Sequence, residues 1–158
     1  MQKLLITGGS GLLGGNLSFL ARERYETYSL YHTRKVHIPG CTMLKLDLTR
    51  TNDVLSLVRK IKPSAIIHCA AMTDVDGCQS NPTLAWQTNV YATENIVAAA
   101  KDAGAKCIYT STDAVFEGTK GLYKEEDQTH PLSVYAKTKF QAEQVVLSTM
   151  KNSLVSRT

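Results

Sequence analysis

Tyr135 and Lys139 fall one helical turn apart in the run Tyr135-Ala136-Lys137-Thr138-Lys139. On a helix that spacing puts both side chains on one face. An ammonium close to a phenol favours tyrosinate and lowers the phenol's pKa, moving a reluctant acid toward working pH. A hydroxyl from Thr112, in Ser111-Thr112-Asp113, would hold a carbonyl in place while Tyr135 protonates it. Tyr-x-x-x-Lys alone is common on exposed helices, so its meaning depends on what precedes it.

What precedes it is Leu4-Leu5-Ile6-Thr7-Gly8-Gly9-Ser10-Gly11-Leu12-Leu13-Gly14-Gly15, an apolar strand turned sharply into a helix by glycines. The glycines fit Gly9-x-Gly11-x-x-Gly14, the dinucleotide fingerprint, and equally Gly8-x-x-Gly11-x-x-Gly14. Glycine lets the backbone take positive φ and lets a ligand approach without a Cβ in the way. The amides at the start of the following helix favour an anion such as a pyrophosphate.

The second strand bears on the choice of nucleotide. An NAD site carries an acid near its end to hold the ribose 2′-hydroxyl. Here the strand exits as Tyr31-His32-Thr33-Arg34-Lys35, with no acid and two fixed cations. A 2′-phosphate suits that composition, so NADP(H) is favoured and NAD(H) stays open. Other strand tips are small or polar: Asp47-Leu48, His68-Cys69-Ala70-Ala71 and Ser111-Thr112-Asp113. In an open parallel sheet the ligand crevice lies outside these carboxyl ends. Singly, Asp47 reads as a helix cap and Thr112-Asp113 as a turn.

The elements that must position these residues are strands at 2–7, 26–32, 42–47, 64–70, 105–111 and 153–157, and helices at 12–24, 50–62, 83–103 and 134–151. Short apolar runs alternating with amphipathic helices imply parallel βαβ units covered on both faces. Leu84, Thr88, Tyr91, Asn95 and Ala99 mark one side of the 83–103 helix. Lys62-Pro63 closes the helix before it. Residues 116–133 form one long polar loop, a kind of segment that is functional or mobile. The expected fold is a single α/β domain over 1–158, a Rossmann-type doubly wound parallel sheet in the order 3-2-1-4-5-6.

Composition narrows the partners. The chain has 158 residues, 43% hydrophobic and 20% charged, with a net charge of +4. Lys and Arg are scattered rather than striped, which suits a small anionic ligand and argues against nucleic acid. Cys41, Cys69, Cys78 and Cys107 show no C-x-x-C spacing and read as reduced structural thiols of a cytoplasmic protein, with no metal called for. Met1 leads straight into a strand, leaving no room for a signal peptide, and no apolar run approaches a membrane span.

Taken together, Thr7-Gly8-x-x-Gly11-x-x-Gly14, Asp47-Leu48, His68-x-Ala70-Ala71, Asn89, Ser111-Thr112-Asp113 and Tyr135-x-x-x-Lys139 resemble the extended short-chain dehydrogenases/reductases. Thr73-Asp74-Val75-Asp76, the run Cys107 to Gly121 and Pro131-Leu132-Ser133-Val134-Tyr135 are similar to the dTDP-4-dehydrorhamnose reductase group among them. The resemblance implies that Gly8, Ser10, Gly11, Leu12, Leu13 and Gly14 hold the pyrophosphate. It implies that His32, Thr33 and Arg34 take the 2′-phosphate and that Asp47 and Leu48 meet the adenine. Cys69, Ala70, Ala71, Thr73 and Thr110 would line the way to the nicotinamide ribose. Val75, Thr112 and Asp113 would face the substrate. Tyr135 would donate the proton, Lys139 would bind ribose hydroxyls and tune Tyr135, and Asn89 would anchor the relay.

The activity so implied is NAD(P)H-dependent reduction of a 4-keto-6-deoxy sugar nucleotide. Related dehydratases carry an acid pair after the catalytic threonine, whereas Asp113 is followed by Ala114. Epimerases of the superfamily keep the acid after the second strand. The regulatory β subunit of methionine adenosyltransferase shares the pattern, so a non-catalytic NADP-binding role remains the alternative, with a sugar-nucleotide epimerase beside it. The resemblance further implies a smaller substrate domain beyond Thr158 and leaves self-association into a homo-oligomer open.

Overall fold

A computed structural model describes residues 1–158. In chain order the elements are β1 (Lys3–Thr7), α1 (Leu12–Ala21), β2 (Glu26–Tyr31), β3 (Thr42–Lys45), α2 (Thr51–Ile61), β4 (Ala65–His68), α3 (Val75–Ser80), α4 (Pro82–Trp86), a π turn (Gln87–Tyr91), α5 (Ala92–Ala103), β5 (Lys106–Ser111), a 3₁₀ turn (Asp113–Val115), α6 (Val134–Thr149) and β6 (Ser153–Arg157). All neighbouring strands run parallel, in the expected order β3-β2-β1-β4-β5-β6. Leu5 is registered against Tyr28 on one side and Ile66 on the other. β1 is buried from Leu4 to Thr7 on both faces, which explains its unbroken apolar run.

The sheet divides its side chains between two layers. Leu5, Leu30, Ile66, Cys107 and Tyr109 join the largest core cluster with Val54 and Val58 of α2, Ile96 and Ala100 of α5, and Ala142 and Val146 of α6. On the other face α1 lies against β1 and β2, where the Ser18 and Ser29 hydroxyls meet at 2.8 Å. Helices therefore cover both faces, with three on one and α1 on the other.

Several boundaries depart from expectation. β3 and β4 end two residues early, at Lys45 and His68, because the residues that follow leave the ladder for the crevice. α1 ends at Ala21 rather than 24, and α6 at Thr149 rather than 151. Asp47 is not the cap of α2; that position is Arg50, and the Asp47 carboxylate accepts from the Thr49 N–H (3.0 Å) and hydroxyl (2.7 Å). Lys62 ends α2 in a left-handed conformation at φ +55, and Pro63 follows, before which a helix does not readily continue.

The largest departure is at 83–103, which is not one regular helix. It begins at Pro82, capped by Asn81, and is interrupted by the π turn. One extra residue in the coil rotates everything after it. Leu84 and Tyr91 are exposed; Ala99 is buried as expected, but the rest of the inward side is Ala85, Asn89, Val90, Thr93 and Ile96. The short helix α3 was not legible at all.

The 116–133 loop is tied down. Phe116 stacks on Tyr123 with centroids 4.4 Å apart, and the Arg157 guanidinium lies 5.1 Å over Phe116. Lys120 pairs with Asp127 at 3.2 Å. No helix is long and apolar enough to cross a membrane, and all four cysteines are free thiols.

Candidate active site

The turn after β1 is set by steric demand. Gly8 has φ +71, and a Cβ there would lie 2.9 Å from the Ala70 backbone nitrogen. A Cβ on Gly14 would lie 2.4 Å from the Gly8 carbonyl oxygen, which no backbone shift could absorb cheaply. Gly8, rather than Gly9, is thus the residue that needs a left-handed conformation. The Gly11 N–H closes the turn onto Gly8 (2.9 Å), and the Gly9 N–H ties it to Leu30 (2.7 Å). α1 then starts with no acidic residue in its first turn and no side chain capping it. Its free amides and positive dipole end are left for a ligand.

Over this turn lies a cavity of about 530 Å³. Sheet order places the ends of β2 and β3 on one side of the turn and those of β4 and β5 on the other. Gly8, Ser10, Gly11, Leu12, Leu13 and Gly14 line its floor. His32 and Leu48 line the first side with Leu30, Tyr31 and Leu46, three that sequence reasoning missed. Cys69, Ala70, Ala71, Thr73 and Thr110 line the second, closed by Tyr135 and Lys139. Thr88 and Thr158 were also missed, while Ser111 lines the cavity as one of the polar strand tips expected there. Tyr31 had a usable signal, being the last residue of a parallel strand; Thr88 had none, because the π turn presents it.

Other expected residues lie elsewhere. Thr33 and Arg34 are exposed and outside the cavity. A second, open groove of about 520 Å³ behind the turn takes His37, Ile38 and Pro39 from the same loop. Asp47 lies between two lining leucines, but its carboxylate is occupied by Thr49 and lies 3.9 Å from the His32 ring. An acid therefore does reach the end of β2 in space, contributed by the segment that follows β3. Val75 starts α3 half exposed, away from the cavity. Thr112 and Asp113 sit just behind the rim, where the Thr112 hydroxyl accepts from the Ala114 N–H at 3.2 Å and caps the 3₁₀ turn.

Asn89 does not touch the cavity either; it holds the wall in place. Its amide oxygen accepts from the Met72 N–H (2.7 Å) and its amide nitrogen donates to the Met72 carbonyl (3.1 Å) and the Thr138 hydroxyl (3.0 Å). It belongs to a buried array whose direction can be assigned. The Thr7 hydroxyl accepts from the Cys69 and Ala70 N–H groups (3.1 and 3.0 Å), so its proton goes to His68 Nδ1 (2.7 Å). His68 Nε2–H then donates to the Thr93 hydroxyl (3.0 Å), which donates to the Asn89 carbonyl (2.7 Å). Thr138, bonded to Asn89, donates to the Tyr135 carbonyl (2.8 Å). The array links the glycine turn to the Tyr135 helix through the core. Burial, then the Lys139 charge, lowers His68 to about 3, which keeps it neutral in this tautomer.

The expected activation of Tyr135 by Lys139 is not what the site shows. Burial raises the phenol, with Cys78 and Asp113 adding to the effect and only the Thr112 hydroxyl opposing it. Lys139 is itself lowered to about 8 by burial, against the pull of Cys69 and Glu143. Its ammonium donates to the Thr110 carbonyl at 2.6 Å rather than toward Tyr135. Tyr135 is thus a protonated donor, and Lys139 a charge held at the cavity wall.

The whole sequence, residues 1–158, matches the family described as RmlD substrate binding domain. Methionine adenosyltransferase 2 subunit beta of Xenopus laevis is 36% identical over 99% of this chain and 46% of its own length. The dTDP-4-dehydrorhamnose reductase of Aggregatibacter actinomycetemcomitans is 36% identical over 100% of this chain and 51% of its own. The crystal structure of the Bacillus anthracis dTDP-4-dehydrorhamnose reductase in complex with NADP superposes with a TM-score of 0.87 at 32% identity, covering 99% of this chain and 53% of that one. The chain spans about half the length of the curated relatives it matches.

Proposed function

The chain belongs to the RmlD substrate binding domain family, and from that premise we propose that it forms the cofactor half of an NADP(H)-dependent reductase of a 4-keto-6-deoxy sugar nucleotide. The observation that carries this reading is one cavity holding both the glycine turn and the Tyr135–Lys139 pair. Its parts suit a dinucleotide. Leu46 and Leu48 offer an apolar slot for a flat base, the open start of α1 takes the pyrophosphate, and the Lys139 ammonium takes ribose hydroxyls. Bound NADPH would supply the hydride for the sugar carbonyl. Tyr135 gives the carbonyl oxygen its proton, and Thr112 and Asp113 stand behind the rim where the sugar enters. The rest of the sugar wall is assigned to the half of the relatives' length that this chain does not span. Free thiols accord with a cytoplasmic setting.

NADP(H) is preferred over NAD(H) because no acid follows β2 in the chain and one Asp47 oxygen takes both Thr49 bonds while the other faces His32. Calorimetry should show NADP⁺ binding more tightly than NAD⁺; binding of neither would overturn the reading. The relative named as a methionine adenosyltransferase subunit favours a second reading, a nucleotide-binding subunit without turnover. NADPH oxidation driven by a 4-keto-6-deoxy sugar nucleotide, in a chain of the relatives' full length, separates the two.

A pH dependence follows from Lys139. Below about 8 it is an ammonium; as pH rises through that value the charge is lost. NADP⁺ affinity should therefore fall between pH 7 and 9, by up to about tenfold. Lys139→Met should bind more weakly at pH 7 and lose this step. An unchanged step in that variant would assign the titration to another group.

A further inference from the structure

We propose that Tyr109 is a positioning residue for Lys139, its ring face serving as the seat that keeps the lysine charged and aimed along the cavity wall. The proposal rests on the cofactor reading above for its consequence, but on contacts within this chain for its cause. Tyr109 is 1% exposed and lies on β5, under α6. The Lys139 ammonium stands over its ring, 4.2 Å from the centroid, which is within cation–π range.

Lys139 is 4% exposed and has little else to hold its charge. On its own helix Glu143 lies one turn on, but that carboxylate is taken by both sides of the Arg157 fork, at 3.0 and 2.8 Å. Tyr135, also on α6, is protonated. From the end of β4 the neighbours are His68, neutral with both ring nitrogens engaged, and just after it Cys69, a thiol whose pKa burial raises. From β5 come the Thr110 carbonyl at 2.6 Å and the Tyr109 ring. One carbonyl dipole and one π face are thus the unshared stabilisers of a buried cation, and such a cation is costly without them.

The Tyr109 hydroxyl plays no part in this. It is buried and makes no hydrogen bond of normal length, with the Thr93 hydroxyl close by. The ring is the working feature, so Tyr109→Phe keeps the seat and removes an orphaned oxygen. Replacing the residue by pentafluorophenylalanine keeps size and shape but reverses the ring's quadrupole. Tyr109→Leu removes the face altogether.

The test reads Lys139 directly, by NMR of a lysine side-chain label assigned with Lys139→Met, across pH. Tyr109→Phe should titrate within about 0.3 pH unit of the natural chain. The pentafluoro ring should lower the midpoint by about one pH unit. Tyr109→Leu, where it folds, should do the same, and the fluorinated ring decides the matter where it does not. At pH 7.5 the pentafluoro variant should bind NADP⁺ several-fold more weakly than the Phe variant, with the gap closing at pH 6. A midpoint in the pentafluoro variant equal to that of the Phe variant overturns the proposal. Should no variant, nor the natural chain, bind NADP⁺, the cofactor reading falls while the titration still decides the role of the ring.

Discussion

Tyr135→Phe is expected to lower NADPH oxidation by a 4-keto-6-deoxy sugar nucleotide by ~10²–10⁴-fold, the usual contribution of a positioned general acid. The measurement belongs in a chain of the relatives' full length. NADP⁺ binding should change little, because the phenol's loss leaves the glycine turn, the apolar slot and the Lys139–Thr110 contact intact. The expected split follows from the site's geometry. Lys139 is engaged by a backbone carbonyl and a ring face; in the proposed reading it acts on the cofactor side and Tyr135 would supply the proton. Burial holds the phenol protonated across the working range, consistent with a donor rather than a base. Lys139→Met should weaken binding and turnover together. Turnover surviving in Tyr135→Phe would assign the proton to another group.

The strand–turn–helix at Leu4–Gly15 was legible because glycine spacing encodes a steric need that one strand and one helix satisfy locally. The sheet order was legible because short apolar strands alternating with helices leave few parallel arrangements. The π turn was not, since a one-residue insertion leaves a helix-like composition while rotating the far end; Thr88 in the cavity and Asn89 on Met72 both depend on it. The pKa order was misread for a related reason. Spacing on a helix fixes that Tyr135 and Lys139 share a face, but not what lies beneath that face. The Thr110 carbonyl and Tyr109 ring that meet Lys139 come from β5, 29 residues or more upstream and one layer below. Arg34 is placed differently from what its charge suggests: the loop carries it into solvent outside the cavity, and His32 is the residue of that run that lines it.

Arg157→Met should cost about 3–5 kcal/mol of stability, the price of leaving a buried charge without its partner. Glu143 is fully buried on α6, and both its oxygens are met by the Arg157 fork from β6. Methionine matches the stem's packing but offers no donor, so the carboxylate is stranded under the helix. Urea unfolding followed by circular dichroism gives the number. Arg157→Met combined with Glu143→Leu should recover most of the loss, because the desolvation penalty goes with the carboxylate; the double variant separates charge from packing. The same arginine lies over Phe116 and donates to the Glu125 carbonyl, so the single variant should also expose the 116–133 loop to faster proteolysis. Freed from Arg157, Glu143 acts on the neighbouring ammonium, to which it already contributes an upward pull. Lys139 should then titrate higher in Arg157→Met and, with the carboxylate gone, fall below its natural midpoint in the double variant. A loss below about 1 kcal/mol, with Lys139 unmoved, would mean that solvent reaches Glu143 and that the pair is no more than a surface bridge.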